Sequence, residues 1–146
     1  DCAVGVESSI IGLDGPAMLL RPGGVPAEAL EEVLGVALPV GGSAEKPNAP
    51  GQLASHYAPV AGVRLDAGAP RPGEVWIGFG PDCAGADLSL SAKGDLAEAA
   101  ARLFATLRGA DRLAGPGGAI AVAPVPETGL GRAVNDRLRR AAAPRG

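Results

Sequence analysis

Two short segments of the sequence hold the side chains best suited to chemistry. In the first, Glu7 precedes the hydroxyl pair Ser8 and Ser9, and Arg21 follows shortly afterwards, directly before Pro22. Hydroxyls beside a carboxylate favour a small polar ligand. A guanidinium favours phosphate, because its planar fork donates two parallel hydrogen bonds and stays charged. An ordinary hairpin with a surface arginine is the competing interpretation.

The second segment is Ser55, His56 and Tyr57, which contains the only histidine and the only tyrosine of the chain and is bracketed by Pro50 and Pro59. The imidazole could contact phosphate or ribose, and the phenol could stack on a base or form a hydrogen bond. A linker anchored by a packed tyrosine is the competing interpretation. A lone histidine without cysteine or carboxylate neighbours is a poor zinc site, so we predict no metal site.

The rest of the chain offers no catalytic constellation. Gly78 and Gly80 lack the third glycine of a dinucleotide-binding fingerprint, and no phosphate-loop lysine is present. Cys2 and Cys83 form no metal-binding or redox pair, which suits a reducing cytoplasm. The sequence has no apolar run of about 20 residues and no secretory leader pattern, so we expect a cytoplasmic protein without a membrane span.

Charge argues against bulk electrostatic binding to nucleic acid, since the net charge is −3. Basic residues nevertheless crowd the C-terminal end: Arg132, Arg137, Arg139, Arg140 and Arg145. We predict a solvated helix face with cations near a helix C-terminus. A weak RNA-contacting patch is the alternative.

Three regions must position these side chains. Residues 1–35 predict a strand over 4–11, a turn at 13–16, a second strand over 17–20, and a helix that starts near Pro26 and ends at Gly35. Residues 36–60 show almost no periodicity. Such a length is uncommon inside a compact domain and predicts an interdomain linker or a lid.

Residues 61–146 alternate between strand and helix patterns. Predicted strands cover 63–65, 75–79, 87–90 and 119–123. Asp95 and Thr128 are the predicted N-caps of two helices, the first of which is limited by Gly109. This alternation predicts a small open α/β sheet with right-handed crossovers, and the continuous apolar run at 119–123 suits a buried parallel strand.

Several blocks of the sequence resemble threonylcarbamoyl-AMP synthases. They are Gly5-Val-Glu-Ser-Ser-Ile-Ile with Leu19-Leu-Arg-Pro-Gly-Gly, Ala49-Pro-Gly-Gln-Leu-Ala-Ser-His-Tyr-Ala-Pro, and two helical blocks that begin near Asp95 and Ala121. The resemblance covers essentially the whole chain, in the order of the two-domain form of the family. It implies the end of a YrdC-type α/β catalytic domain in 1–35, a linker that also serves as active-site lid in 36–60, and a small Rossmann-like domain in 61–146.

The resemblance also implies roles for individual residues. Ser8 would bind L-threonine, and Arg21 would bind the phosphate region of ATP. Tyr57, with His56 and Ser55, would close over the nucleotide as a lid. The implied substrates are L-threonine, bicarbonate and ATP, with Mg²⁺, and the product would pass to a transferase complex that modifies tRNA.

Two departures from the family pattern limit what the chain does alone. Ser9 stands where the family more often has threonine, which keeps the hydroxyl. The lysine–arginine pair and the Ser-x-Asn element of the family have no match here, and the chain begins at Asp1 rather than Met. We therefore expect a fragment that is inactive by itself and contains no catalytic residue. The alternative is a non-catalytic regulatory module that binds a nucleotide or a partner protein.

Overall fold

A computed structural model describes residues 5–39 and 59–143 of the chain. Its N-terminal part contains an antiparallel pair of strands, β1 (Ile10–Gly12) and β2 (Met18–Arg21), followed by the helix α1 (Ala27–Leu34). The helix ends as predicted at Gly35, whose φ of 70° is the left-handed conformation that glycine adopts without strain.

The first strand is shorter than the predicted 4–11. Residues 5–9 are irregular, and the pairing of β1 with β2 shifts in register between Ile10 and Ile11. The cause is a different set of partners. The carbonyl of Glu7 accepts a hydrogen bond of 2.9 Å from the amide of Gly24, beyond the end of β2.

The second part is built on a four-stranded sheet. Its strands are β3 (Gly62–Arg64), β4 (Glu74–Phe79), β5 (Leu88–Ser91) and β6 (Ala119–Val122). They run parallel in the order β3-β6-β4-β5, which places β6 in the interior of the sheet. This arrangement confirms the predicted open parallel α/β sheet and the buried parallel strand at 119–123.

Two helices pack on one face of this sheet, α2 (Leu96–Ala114) and α3 (Gly131–Ala142). Because successive strand residues point to opposite faces, Ile120 joins the main core beneath the helices, whereas Ala121 joins Trp76 on the other face. The domain therefore has two layers in the described residues, with both long helices covering the same side of the sheet.

The ends of these helices differ in how well the sequence predicted them. Asp95 caps α2 as predicted, since its Oδ1 accepts from the amides of Ala97 and Glu98 at 2.9 and 3.3 Å. Gly109 does not end the helix. A Cβ there would meet Leu88 only at ordinary contact distance, and the helix continues to Ala114.

The predicted cap of the last helix is also wrong. α3 starts at Gly131, and no side chain caps its N-terminus. Thr128 contributes its backbone carbonyl instead, which accepts from the Gly131 amide at 2.8 Å. The intervening Gly129, with a φ of 53°, makes a turn that delays the helix.

The start of the described chain packs into the core of the sheet domain. Val6 is 2% exposed and belongs to the main hydrophobic cluster, together with residues of α2 and α3. Gly5 has a φ of 81°, and a Cβ at this position would lie 2.3 Å from the Cα of Ala101 on α2. The N-terminal segment is therefore seated directly on the helical layer, whereas the division into 1–35, 36–60 and 61–146 stays a prediction.

Candidate functional site

Ser8 and Arg21, the two predicted binding residues of the N-terminal part, contact each other. The Nε and Nη2 atoms of Arg21 donate to the backbone carbonyl of Ser8 at 3.1 and 2.9 Å. Arg21 is 9% exposed, whereas Ser8 is exposed to solvent. The guanidinium is thus held beside the serine through the backbone, and the serine hydroxyl lies at the surface.

Close backbone packing reinforces this contact. A Cβ added at Gly23 would lie 2.3 Å from backbone atoms of Glu7, Ser8 and Ser9. Real Cβ atoms do not approach backbone so closely, so only glycine fits here without displacing the Glu7–Ser9 segment. The Arg-Pro-Gly-Gly motif and the Glu-Ser-Ser motif are therefore two sides of one structure, which we call the binding wall (residues 7–9 and 21–24).

A third residue, Arg137 on α3, contacts both sides of the binding wall. Its Nε and Nη2 donate to the Glu7 carboxylate at 3.1 and 2.9 Å, and its Nη1 donates to the carbonyl of Pro22. Nη1 also lies 3.1 Å from Oδ2 of Asp136. The Arg137 side chain is 1% exposed. It is a buried cation whose three nitrogens all have partners.

Charges of both signs meet in this cluster. Burial raises the pKa of Glu7, but hydrogen bonds from Arg137 and from its own backbone, and the positive charges of Arg137 and Arg21, bring the pKa below 4.5. Burial lowers the pKa of Arg21, as does repulsion from Arg137, while the carboxylates of Glu7 and Asp136 oppose the shift. The negative charges of Glu7 and Asp136 partly offset the repulsion between the two guanidiniums.

The other residues singled out in the sequence are the Ser-His-Tyr segment and the C-terminal arginines. Ser55, His56 and Tyr57 lie outside the residues that the structure describes. The prediction of a solvated arginine face is wrong for Arg137, which is buried against the binding wall. The other described arginines of that cluster form ion pairs: Arg132 with Glu28, Arg139 with Glu127, and Arg140 with Asp136. Arg145 is outside the described residues. Such pairing reduces the positive charge offered to RNA, and weak RNA binding stays a prediction.

Sequence reasoning did not identify Arg137 as part of the site. Val134 and Leu138 lie on the buried face of its helix, and Arg137 lies three positions after the first of these, which is the same helical face. The presence of an arginine on an otherwise apolar helical face is the sequence feature that could have indicated its burial. Its partner could not be inferred, because Glu7 lies 130 positions away in the sequence.

Two general properties complete the description. No helix in residues 5–39 and 59–143 is both long and apolar enough to cross a membrane. Across the same residues, histidine, cysteine, aspartate and glutamate form no group of three or more that could hold a metal ion.

Comparison with known proteins places the chain in a family. The family model described as threonylcarbamoyl-AMP synthase, C-terminal domain, matches residues 25–143. The threonylcarbamoyl-AMP synthase of Pyrococcus abyssi (strain GE5 / Orsay) is 35% identical over 94% of this chain and 46% of its own length. That of Bacillus subtilis (strain 168) is 31% identical over 95% of this chain and 46% of its own length.

Solved structures agree with these relatives. The crystal structure of P. abyssi Sua5 complexed with L-threonine matches with a TM-score of 0.76 and 34% identity, over 96% of this chain and 46% of that one. A P. abyssi Sua5 variant with an adjacent histidine and tyrosine replaced by alanine also gives a TM-score of 0.76, at 32% identity, over 97% of this chain and 46% of that one.

The fold and the site define a parallel α/β domain that is joined through a buried arginine to the polar binding wall. The chain belongs to the threonylcarbamoyl-AMP synthase family, as the resemblance in its sequence predicted. It spans about half the length of the curated relatives that it matches.

Proposed function

We propose that this chain is part of an enzyme that forms threonylcarbamoyl-AMP and pyrophosphate from L-threonine, bicarbonate and ATP, for modification of tRNA. The observation that carries the proposal is the binding wall itself: an exposed Ser8 held beside the guanidinium of Arg21, in a chain of this family. A solved relative at 34% identity is a complex with L-threonine, which supports threonine as a substrate of the proposed enzyme.

In the proposed reaction, the amine of threonine attacks the carbon of bicarbonate and water leaves, which forms a carbamate. A carbamate oxygen then attacks the α-phosphorus of ATP, a new P–O bond forms, and the bond to the leaving pyrophosphate breaks. The protein contributes positioning and charge neutralisation rather than a covalent step. Ser8 would orient threonine through its hydroxyl, and the positive charge of Arg21 would stabilise the phosphates.

Mg²⁺ would neutralise phosphate charge in such a reaction. The described residues supply no cluster of metal ligands, so we assign no residue of 5–39 or 59–143 to the ion. In the proposal Mg²⁺ arrives with ATP and is held through the phosphates.

Tyr57, with His56 and Ser55, would form the lid over the nucleotide in the proposal. A solved relative carries alanine in place of an adjacent histidine and tyrosine, the same two residue types as His56 and Tyr57. A lid protects the labile carbamate and adenylate from water. Replacing Tyr57 by alanine in the complete synthase should raise the KM for ATP or the fraction of intermediate lost to hydrolysis. Unchanged pyrophosphate release and product yield would contradict the lid role.

The decisive experiment measures pyrophosphate release by the complete gene product that contains this chain. Release should require L-threonine, bicarbonate and ATP together, and it should stop when any one is omitted. The chain of residues 1–146 alone, the matched control, should release none. Nucleotide binding by the complete protein without threonine-dependent turnover would contradict the synthase and support a non-catalytic nucleotide-binding module instead.

A further inference from the structure

Arg137 belongs to the sheet domain, yet it holds the residues that flank both predicted substrate contacts. Glu7, which it binds through two nitrogens, immediately precedes Ser8. Pro22, whose carbonyl accepts from its third nitrogen, immediately follows Arg21. A single side chain on α3 therefore holds both the residue before Ser8 and the residue after Arg21.

We infer that Arg137 is a positioning residue, through which the sheet domain sets the geometry of the threonine- and ATP-binding groups. The inference rests on the proposed function for what the binding wall binds. Arg137 itself touches neither substrate in this assignment. It acts through Glu7 and Pro22 on Ser8 and Arg21.

Arginine is suited to this task in a way that lysine is not. Its planar guanidinium offers donors in fixed directions, so binding a carboxylate on one edge determines where the remaining donor points. Here that remaining donor meets the carbonyl of Pro22. The two contacts together set the separation of Glu7 and Pro22, and hence that of the chain segments carrying Ser8 and Arg21.

The part of α3 that carries Arg137 is tightly packed. Its neighbours Val134 and Leu138 on α3 are 0% and 2% exposed and belong to the main core. Asp136, which contacts Arg137, is held in turn by Arg140 one turn later at 3.1 and 3.2 Å. Packed side chains restrict rotamers, so a guanidinium mounted here transmits the position of α3 to the binding wall.

A role in stability alone does not explain a cation at this position. Buried ion pairs contribute little or unfavourably compared with apolar side chains of similar volume, because desolvation offsets the attraction between charges. Val6, directly beside Glu7, already fixes the segment to the core through apolar contact. Arg137 adds a defined orientation of the polar backbone beside it.

The test is steady-state kinetics of pyrophosphate release by the complete synthase carrying Arg137→Met. We expect kcat/KM for L-threonine and for ATP to fall by about 10- to 100-fold, since small displacements of binding groups cost this much. The loss should lie mainly in KM. Arg139→Met, two positions later, replaces a side chain that is 56% exposed and pairs with the equally exposed Glu127, so it should change neither KM by more than about twofold.

Two further variants keep the inference testable if Arg137→Met does not fold. Arg137→Lys keeps the charge but lacks the fork, so it should recover part of the lost kcat/KM and no more. Glu7→Gln keeps the shape of the side chain and should raise the KM for threonine by about three- to tenfold. A folded Arg137→Met or Glu7→Gln enzyme with parental KM values for both substrates would overturn the inference. A parental protein without threonine-dependent pyrophosphate release would instead overturn the proposed function.

Discussion

The Nη2 atom of Arg137 lies 2.9 Å from Oε2 of Glu7, and this ion pair joins the described start of the chain to its last helix. The arginine side chain is almost entirely buried, whereas the Glu7 side chain is 34% exposed. The pair is therefore asymmetric: removal of the carboxylate leaves a buried cation, while removal of the cation leaves a carboxylate that water can reach.

A double-mutant cycle on stability tests this pair, with Glu7→Gln chosen because it removes the charge of the carboxylate but keeps an acceptor for the buried cation. Arg137→Met should lower the free energy of unfolding by about 2–4 kcal/mol, because the Pro22 carbonyl also loses its donor. Glu7→Gln should cost about 1–2 kcal/mol, since an amide oxygen still accepts a hydrogen bond. The two effects should fall short of additivity by about 1 kcal/mol or more in urea unfolding. Full additivity would mean that the two side chains do not interact.

Gly23 provides a second prediction, on the packing of the binding wall. Gly23→Ala should destabilise the protein by about 1–3 kcal/mol, because its Cβ would collide with backbone that cannot move independently. Gly15→Ala is the matched control. Its Cβ would meet nothing within 4 Å, so its effect should stay within about 0.5 kcal/mol. Thermal unfolding of both variants is the measurement, and equal midpoints would contradict the close approach at Gly23.

Asp95 provides a third prediction, on α2. Replacement by alanine should cost about 1 kcal/mol, because two amides of the first helical turn lose their acceptor. Asp95→Asn keeps a side-chain oxygen and should lower the free energy of unfolding by only about a few tenths of 1 kcal/mol. Chemical denaturation of the two variants separates the cap from the charge. If asparagine and alanine were equally destabilising, the negative charge rather than the cap would be responsible.

The fourth prediction concerns acid stability. Arg64 binds Glu74 through two bonds of 2.7 and 2.9 Å, and these bonds, with the backbone amide of Arg71, lower the pKa of Glu74 from 4.5 to about 2. A carboxyl whose pKa is lower in the folded state stabilises the protein above its unfolded pKa and loses that contribution as pH falls through the folded value. The contribution should therefore be constant above about pH 5 and decline between about pH 4.5 and 2.

Glu74→Gln isolates this effect. The difference in unfolding midpoint between parent and Glu74→Gln should be largest at neutral pH and shrink as pH falls towards 2. The exposed Glu32→Gln is the control and should track the parent across the same range. A Glu74→Gln difference that stays constant from pH 7 to pH 2 would show that the carboxyl is not selectively stabilised by Arg64.

Local patterns predicted most of the sheet domain. The apolar run of β6 and the cap at Asp95 correspond to local rules, and both were located within one or two residues. One error arose where backbone partners lie far away in sequence. Residues 5–9 fall within the strand predicted over 4–11, where the β-branched residues lie mostly at the two ends. The Gly24 amide binds the carbonyl of Glu7 instead, and the Arg21 side chain binds that of Ser8.

The candidate site could be predicted in its parts but not in its assembly. Ser8 and Arg21 were singled out by residue type and by family resemblance, and the structure brings them together. Their mutual contact runs through a backbone carbonyl, which no side-chain pattern encodes. Arg137 was misassigned to a solvated face because charge suggests exposure, whereas a buried arginine needs a partner that only the tertiary fold supplies.

Val6 has a consequence for how this protein can be dissected. A fragment starting at residue 61 would contain every strand and helix of the parallel sheet, yet it would lack the valine that fills its core. Burial of such a side chain is worth about 1.5–3 kcal/mol, and its removal leaves an apolar slot between the two helices open to solvent. Such a truncated domain should expose apolar surface and self-associate. The same fragment supplied with a peptide of residues 3–9 should regain solubility. The core of the sheet domain thus includes a residue from the far N-terminal side of the sequence.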